Sequence, residues 1–161
     1  MGSSNCFICE RIRMINEGIN PYFVAELKTG YVVLGDYQLF RGYTLFFCKE
    51  HVTELHFLEE SFKIDFLSEM SKVAEAVYNA FKPEKLNYEL LGNGQGGEHM
   101  HWHIFPRWIN DEARRGPIWE IDKELRSSEN VKPTEAVLRD MKKMLISELE
   151  KVTEIIKKEI I

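Results

Sequence analysis

Three of the chain's five histidines, His99, His101 and His103, stand at alternate positions in one short stretch. The residues between them, Met100 and Trp102, are apolar. In a β-strand, alternate side chains point to the same face and lie about 6 to 7 Å apart. This spacing predicts a row of imidazoles on one face of a strand, with packing residues on the other. Such a row can bind a metal ion or attack phosphorus.

These two chemistries require different neighbours. A catalytic metal site needs further carboxylate or histidine ligands nearby, and Glu98 points to the opposite face from His99. A nucleophilic imidazole needs a neutral ring, a partner for one ring nitrogen, and donors for the phosphate oxygens. The central His101 has a histidine two residues away on each side. The nucleophile hypothesis therefore uses more of the local sequence than the metal hypothesis.

A glycine-rich stretch, residues 92–97, comes directly before the histidine row. Glycine lets the backbone approach a ligand closely and direct its N–H groups at an anion. The alternative is a flexible hairpin connection, but the position next to the row favours a phosphate-binding loop. The candidate ligand contacts in this loop are Asn93, Gly94, Gly96 and Gly97.

A Cys-x-x-Cys pair, Cys6 and Cys9, lies near the N-terminus of a chain with no sign of export. Such a pair is more often metal-binding or redox-active than a structural disulfide. Two histidines from elsewhere would complete a tetrahedral zinc site. His51, at the end of a predicted buried strand, is one candidate, and a member of the histidine row is another. Two free thiols and a surface His51 remain the alternative.

Hydrophobic spacing predicts the elements that position these residues. A short helix follows the cysteine pair, two extended segments form a hairpin, and a buried strand precedes His51. A long amphipathic helix ends before Pro83, and a second long helix follows Pro133. The predicted ranges are extended segments at 22–27, 31–34, 43–48, 87–91 and 100–105, helices at 59–82 and 133–161, and a polar irregular segment at 107–132.

Length and composition limit the class of protein. A chain of 161 residues, with 44% apolar and 29% charged residues, predicts one ordinary globular domain with a core. The formal net charge of −5 argues against a general nucleic-acid-binding surface. No run of 18 apolar residues and no apolar leader is evident, so neither a membrane span nor a signal peptide is expected, and a cytoplasmic location follows by default.

The run from His99 to Phe105 resembles the signature of the histidine triad (HIT) superfamily, His-φ-His-φ-His-φ-φ with φ apolar, at every position. The Cys-x-x-Cys pair, the approach at residues 41–45 and Gly116-x-x-Trp119 are also similar to family features, and the resemblance covers residues 5–120. It implies an α+β fold, a mainly antiparallel sheet with a long helix, and a homodimer. Residues 1–120 would form the HIT domain, and 121–161 a helical extension that packs on the domain or on the dimer partner.

The resemblance also implies roles for individual residues. Members of the superfamily hydrolyse or transfer nucleotides at the α-phosphate. His101 matches the nucleophile that forms a nucleotidyl-histidine intermediate, and His103 matches the residue that contacts the α-phosphate. The main-chain carbonyl of His99 would orient the ring of His101. Gln95 matches the glutamine that precedes the triad.

A structural zinc ion is the expected cofactor. In members of the superfamily that carry the cysteine pair, zinc is bound by residues that match Cys6, Cys9, His51 and His99. This resemblance favours zinc over two free thiols. The metal is expected to hold the N-terminal segment against the histidine strand and not to touch the substrate.

The chain departs from the family pattern in three ways, one of which is a glycine-rich loop shorter than in the commonest members. Gly96 replaces the Ser or Thr that usually follows the glutamine, so backbone N–H groups or Gln95 would have to activate the leaving group. Gly35 stands where many members have an Asp or Asn that binds the ribose hydroxyls, and the adjacent Asp36 is the expected substitute. Trp119 either caps the active site or lies in a buried interface.

The expected function is hydrolysis of a diadenosine polyphosphate or a similar nucleotide derivative. A phosphoramidase, or a transferase that passes the nucleotide to phosphate, is the alternative among enzymes. Transferases of the phosphorylase type tend to carry Gln in place of the third histidine, so the intact His103 favours water as the acceptor. From another class, the protein could be a zinc-stabilised nucleotide-binding or interaction module with little turnover.

Overall fold

The strands form an antiparallel sheet with helices on both faces. The computed structural model describes residues 6–93, 98–113 and 116–161. In this part of the chain the strands are β1 (Phe23–Glu26), β2 (Gly30–Leu34), β3 (Thr44–Cys48), β4 (Lys85–Glu89), β5 (His101–Arg107) and β6 (Lys157–Lys158). The helices are α1 (Phe7–Asn16), α2 (Glu60–Phe81), α3 (Lys123–Arg126) and α4 (Glu135–Val152), with short 3₁₀ turns at Leu55–Phe57, Ile118–Glu120 and Glu129–Val131.

The six strands are arranged in the order β4–β5–β3–β2–β1–β6, and every neighbouring pair is antiparallel. This arrangement confirms the predicted α+β class with an antiparallel sheet and a long helix. None of the helices in the described ranges has both the length and the hydropathy that a membrane span requires.

The long helix α2 agrees with the predicted range to within one residue at each end. Its apolar residues recur at three- and four-residue spacing, which gives one buried face. The Glu59 side chain accepts hydrogen bonds from the first backbone N–H groups of the helix. Lys82 ends it in a left-handed conformation (φ 53°), because the following Pro83 disfavours another helical residue.

The alternation along β5 decides which face receives the imidazoles. Trp102 and Ile104 pack with the cluster that lies under α2 and α4. On the neighbouring strand β3, Phe46 stacks on Phe66 of α2 with ring centroids 5.2 Å apart. Because adjacent strand residues point to opposite faces, His101 and His103 lie on the other face, which α1 partly covers.

The predicted second helix at 133–161 is wrong in its last turns. Helix α4 begins at Glu135, is capped by the hydroxyl of the preceding Thr134, and ends at Val152. The chain then extends, and the short strand β6 pairs with the edge strand β1. Residues with many kinds of side chain can pair through their backbones with an open strand edge. The side chains of this tail therefore show no periodic pattern. Buried side chains of α4, including Leu145 and Leu149, pack in the same core as α2.

A buried carboxylate fastens the β1–β2 turn to α2. The side chain of Glu69 accepts hydrogen bonds from the backbone N–H groups of Lys28 (3.0 Å) and Thr29 (2.8 Å), and from the Thr29 hydroxyl. We expect Glu69→Ala to lower the free energy of unfolding by about 3 kcal/mol, because it leaves three donors unpaired in a buried site. Urea denaturation measures this loss. Glu75→Ala on the exposed face of α2 is the matched control, and equal stability of the two variants would contradict the assignment.

Candidate functional site

The structure separates the first imidazole of the row from the other two. His101 and His103 belong to β5, and both line a cavity of about 550 Å³. His99 precedes the strand and is 1% exposed, and its ring packs against the ring of His51 with centroids 4.9 Å apart. His99 therefore lies apart from His101 and His103, in a cluster of its own with His51.

The cavity extends from the histidine pair across the sheet. Leu45 and Phe47 of β3 form its next wall, and Val33 of β2 continues it. Neighbouring strands lie about 4.8 Å apart, so β5 and β2 are separated by roughly 10 Å. An apolar floor of this length between two imidazoles and a polar end has the dimensions of a nucleoside attached to a phosphate.

The ring of His101 is held by a backbone carbonyl. Its Nδ1 lies 2.6 Å from the carbonyl oxygen of His99. Because a carbonyl oxygen only accepts, Nδ1 must carry the proton, and Nε2 retains its lone pair. Burial lowers the pKa of His101, which favours the neutral ring. A neutral imidazole with a bare Nε2 is a nucleophile.

His103 has a different partner, the buried hydroxyl of Tyr43, which lies 2.6 Å from its Nδ1. Burial lowers the pKa of His103 to about 3 and raises the pKa of Tyr43 far above its usual value. Both groups are therefore neutral, and the Tyr43 hydroxyl keeps a proton that it can donate to Nδ1. In that tautomer Nε2–H of His103 is a donor that suits a phosphate oxygen.

Tyr43 also explains the absence of a side chain at position 35. A Cβ atom on Gly35 would lie 2.2 Å from Cδ1 of Tyr43, closer than any side chain allows. The tyrosine ring stacks on Phe105 with centroids 4.0 Å apart. The sequence predicts that Tyr43 belongs to a strand but does not identify it as a site residue. Tyr43 and Leu45 are two residues apart and therefore share one strand face, and this spacing could have placed Tyr43 at the cavity.

The expected ribose ligand, Asp36, lines the cavity, and its carboxylate forms an ion pair with the Arg11 guanidinium of α1. Asn93 also lines the cavity, close to where the glycine-rich stretch begins. The other expected contacts of that stretch, Gly94, Gln95, Gly96 and Gly97, lie outside the described residues.

Trp119 forms part of the cavity wall. Its ring packs edge-to-face on His103 with centroids 5.6 Å apart, and its Nε1–H donates to a carboxylate oxygen of Glu89. The guanidinium carbon of Arg126 lies 4.8 Å from the centre of the indole. The tryptophan is 40% exposed. The irregular segment between β5 and α4 thus carries an aromatic wall to the histidine pair.

Cys6, Cys9, His51 and His99 form a second cluster, in which one ligand atom of each residue lies within 4.8 Å of the others. Cys6 caps the N-terminus of α1, and its Sγ accepts from the Cys9 backbone N–H at 3.4 Å. This cap turns both thiols to one side. Residues 6–9 alone therefore suffice to place the two sulfur atoms on the same side.

The distances in this cluster fit a tetrahedral metal. Sγ of Cys9 lies 3.1 Å from Nδ1 of His51 and 3.4 Å from Nδ1 of His99, and Sγ of Cys6 lies 3.8 Å from Nδ1 of His99. Zinc bonds to sulfur and nitrogen place tetrahedral ligands about 3.3 to 3.8 Å apart.

The protonation states of these side chains also fit a bound metal ion. Nε2 of His99 donates to the Cys48 carbonyl at 2.8 Å, which leaves Nδ1 bare towards the sulfurs. Burial and the neighbouring Cys6 raise the pKa of Cys9 to about 11, and a divalent cation would offset that cost. These four residues could therefore hold zinc.

The sheet, the long helix and the paired imidazoles define an α+β protein with a histidine triad strand. Residues 22–109, more than half of the chain, match the HIT domain, so the chain belongs to the HIT family. Members of this family typically hydrolyse or transfer nucleotides.

Two curated relatives and one solved structure are similar to the chain. An uncharacterised HIT-like protein of Borreliella burgdorferi is 31% identical over 118 residues, which cover 66% of this chain and 78% of the relative. An AP-4-A phosphorylase of Mycobacterium tuberculosis is 32% identical over 92 residues, which cover 55% of this chain and 47% of the phosphorylase. The chain therefore spans about half the length of that enzyme. A Zn-bound histidine triad family protein of Mycobacterium smegmatis has the same fold, with a TM-score of 0.60, 20% identity, and coverage of 93% of this chain and 96% of that structure.

Proposed function

We propose that the protein is a nucleotide hydrolase that cleaves at the α-phosphate through a nucleotidyl intermediate on His101. The observation that carries this proposal is the bond from His101 Nδ1 to the His99 carbonyl, which leaves Nε2 as the nucleophilic atom in a cavity of nucleoside size. His103 lies beside it, with ring centroids 4.7 Å apart, and is the proposed donor to the α-phosphate.

The reaction takes place in two displacements. The lone pair of His101 Nε2 attacks the α-phosphorus, a P–N bond forms, and the bond to the leaving group breaks with its electron pair on the leaving group. The imidazolium that results is stabilised because Nδ1–H donates to the His99 carbonyl. Water then attacks the phosphorus, the P–N electron pair returns to Nε2, and the water proton passes to solvent. The products are a nucleoside monophosphate and the departed group.

We propose that zinc occupies the cluster of Cys6, Cys9, His51 and His99 in a structural role. The ligand geometry supports this assignment, and the solved structure from Mycobacterium smegmatis is described as Zn-bound. Zinc would join the start of α1 to the residue that holds the His101 ring. No step of the reaction requires the metal to contact substrate.

The proposed substrates are dinucleoside polyphosphates and similar nucleotide derivatives. The name of the Mycobacterium tuberculosis relative refers to such a compound, and that name supports transfer to phosphate as a second candidate function. The intact His103 favours water as the acceptor.

A homodimer remains the expected assembly. Tyr78 of α2 and Tyr88 of β4 are exposed and border one surface depression, which is a candidate contact surface.

A substrate panel with product identification by mass distinguishes these functions. It contains a dinucleoside polyphosphate, a nucleoside 5′-phosphoramidate and a nucleoside triphosphate, each in ¹⁸O-labelled water with and without inorganic phosphate. Hydrolysis at the α-phosphate puts ¹⁸O into the nucleoside monophosphate. Formation of a nucleoside diphosphate from the dinucleoside substrate only when phosphate is added would instead identify a phosphorylase. Nucleotide binding without turnover of any substrate would identify a binding module.

The Tyr43 hydroxyl tests the role of His103. We expect Tyr43→Phe to lower kcat/KM by about five- to tenfold, because one neutral hydrogen bond of about 1 kcal/mol is lost while the ring still packs on Phe105. Tyr37→Phe is the control, since Tyr37 lines the same cavity and has no hydrogen bond to His103. Steady-state kinetics measures the difference. Equal activity of the two variants would show that the hydroxyl does not fix the His103 ring.

A further inference from the structure

The cavity ends in a charged pair at the side away from the histidines. The Arg11 side chain is only 15% exposed, and its guanidinium pairs with Asp36. The guanidinium carbon also lies 4.8 Å from the centre of the Phe7 ring and 5.7 Å from that of Tyr22. These contacts hold the guanidinium in one place on the cavity wall.

The distance of this pair from the histidines fits the span of a ribose with its attached base. The histidines lie on β5, and Asp36 follows the end of β2, two strands further along the sheet. That separation is roughly 10 Å, the distance from an α-phosphate to the far part of its nucleoside. The wall between them, which includes Leu45 and Phe47, is apolar. Arg11 is thus a charged donor at the end of an apolar cleft.

The chemistry of a guanidinium restricts what it can bind. Arginine carries five N–H donors and no acceptor, and Asp36 accepts one of its hydrogen bonds. The other N–H groups have no hydrogen-bond partner in the part of the chain that the structure describes. The nearby Asn20 amide offers no substitute, because it already bonds the Arg11 carbonyl and the Tyr22 backbone N–H.

Purine bases differ at the edge that would face these donors. Guanine and hypoxanthine present two acceptors there, O6 and N7, which match the fork of an arginine. Adenine presents an amino group at position 6, which is itself a donor. We propose that Arg11 selects the base, and that the site prefers 6-oxopurine nucleotides to adenine nucleotides. Asp36 orients the guanidinium and remains the expected ribose ligand. The proposal rests on the nucleotide site proposed above.

Equilibrium binding of nucleoside monophosphates tests this selectivity without any chemical step. Calorimetry would compare GMP, IMP and AMP on the wild type, on Arg11→Met and on Arg13→Met. Arg13 lies on the same helix, is about half exposed and pairs with Glu10 and Glu17. We expect the wild type and Arg13→Met to bind GMP and IMP at least about tenfold more tightly than AMP. Arg11→Met should bind all three within about threefold of one another.

A second substitution covers the case in which Arg11→Met fails to fold. Arg11→Lys keeps a cation opposite Asp36 but loses the planar fork, so the preference for GMP over AMP should fall to about threefold or less. Equal or tighter binding of AMP by the wild type would overturn the proposal, as would an unchanged preference in the folded Arg11 variants. Failure of every monophosphate to bind would instead overturn the proposed nucleotide site itself.

Discussion

Replacement of His101 by alanine is expected to lower the rate of nucleotide hydrolysis by at least about a thousandfold. The variant removes the only atom that the proposed mechanism places for attack on the α-phosphorus, and neither His103 nor the surrounding backbone replaces it. Steady-state turnover with mass detection of the nucleoside monophosphate measures this loss. His56→Ala is the matched control, because His56 is exposed in a 3₁₀ turn. It belongs neither to the His101–His103 pair nor to the cluster of Cys6, Cys9, His51 and His99.

A covalent readout distinguishes a nucleophile from a residue that only binds substrate. In a rapid acid quench, the wild type should show a mass increase of one nucleotidyl group, and His101→Ala should show none. Thermal unfolding and metal content of the variant should remain those of the wild type, since His101 is not one of the four clustered ligands. Turnover or adduct formation that persists in His101→Ala would contradict the assignment of the nucleophile.

Loss of Cys6 is expected to empty the proposed zinc site. Wild-type protein should contain about one zinc ion per chain, and Cys6→Ser less than about a tenth of that amount, because a structural tetrahedral site requires all four ligands. The melting temperature should fall by about 10 °C, since bound metal stabilises only the folded state. Elemental analysis and thermal unfolding measure the two effects. Chelation of the wild type should reproduce the lower melting temperature.

Cys48→Ala is the matched control for the loss of a thiol. Cys48 is buried and its carbonyl accepts from His99, but its sulfur does not belong to the cluster. The control should therefore keep its zinc even where repacking lowers its stability. Unchanged zinc in Cys6→Ser would exclude the proposed site, and equal zinc loss in both variants would show that the effect is unspecific.

His99 connects the two sites. Its ring faces the thiols of the cluster, and its carbonyl oxygen holds Nδ1 of His101. A displacement of His99 would therefore change the position of the nucleophile without any contact with the substrate. This arrangement gives a physical reason why the proposed metal site and the proposed nucleophile lie only two residues apart in the sequence.

Regular elements could be predicted where side-chain burial is periodic. The helix α2 and the strand β5 agree with their predicted ranges closely, because one face of each packs against the core. The C-terminal tail could not be predicted in the same way. The strand β6 is held by backbone hydrogen bonds to β1 and both of its residues are exposed, so the side chains have no pattern that reveals it.

The sequence by itself determined which reactive side chains lie close together along the chain: the alternating histidines and the two cysteines of the Cys-x-x-Cys pair. The resemblance to the HIT superfamily then predicted a separate role for each histidine. Only the tertiary structure decided how these groups are supported. The contact of Tyr43 with His103 and the pair of Arg11 with Asp36 join segments 60 and 25 residues apart. No local spacing encodes such contacts, because they form only when packing of α1 and the sheet brings the two segments together.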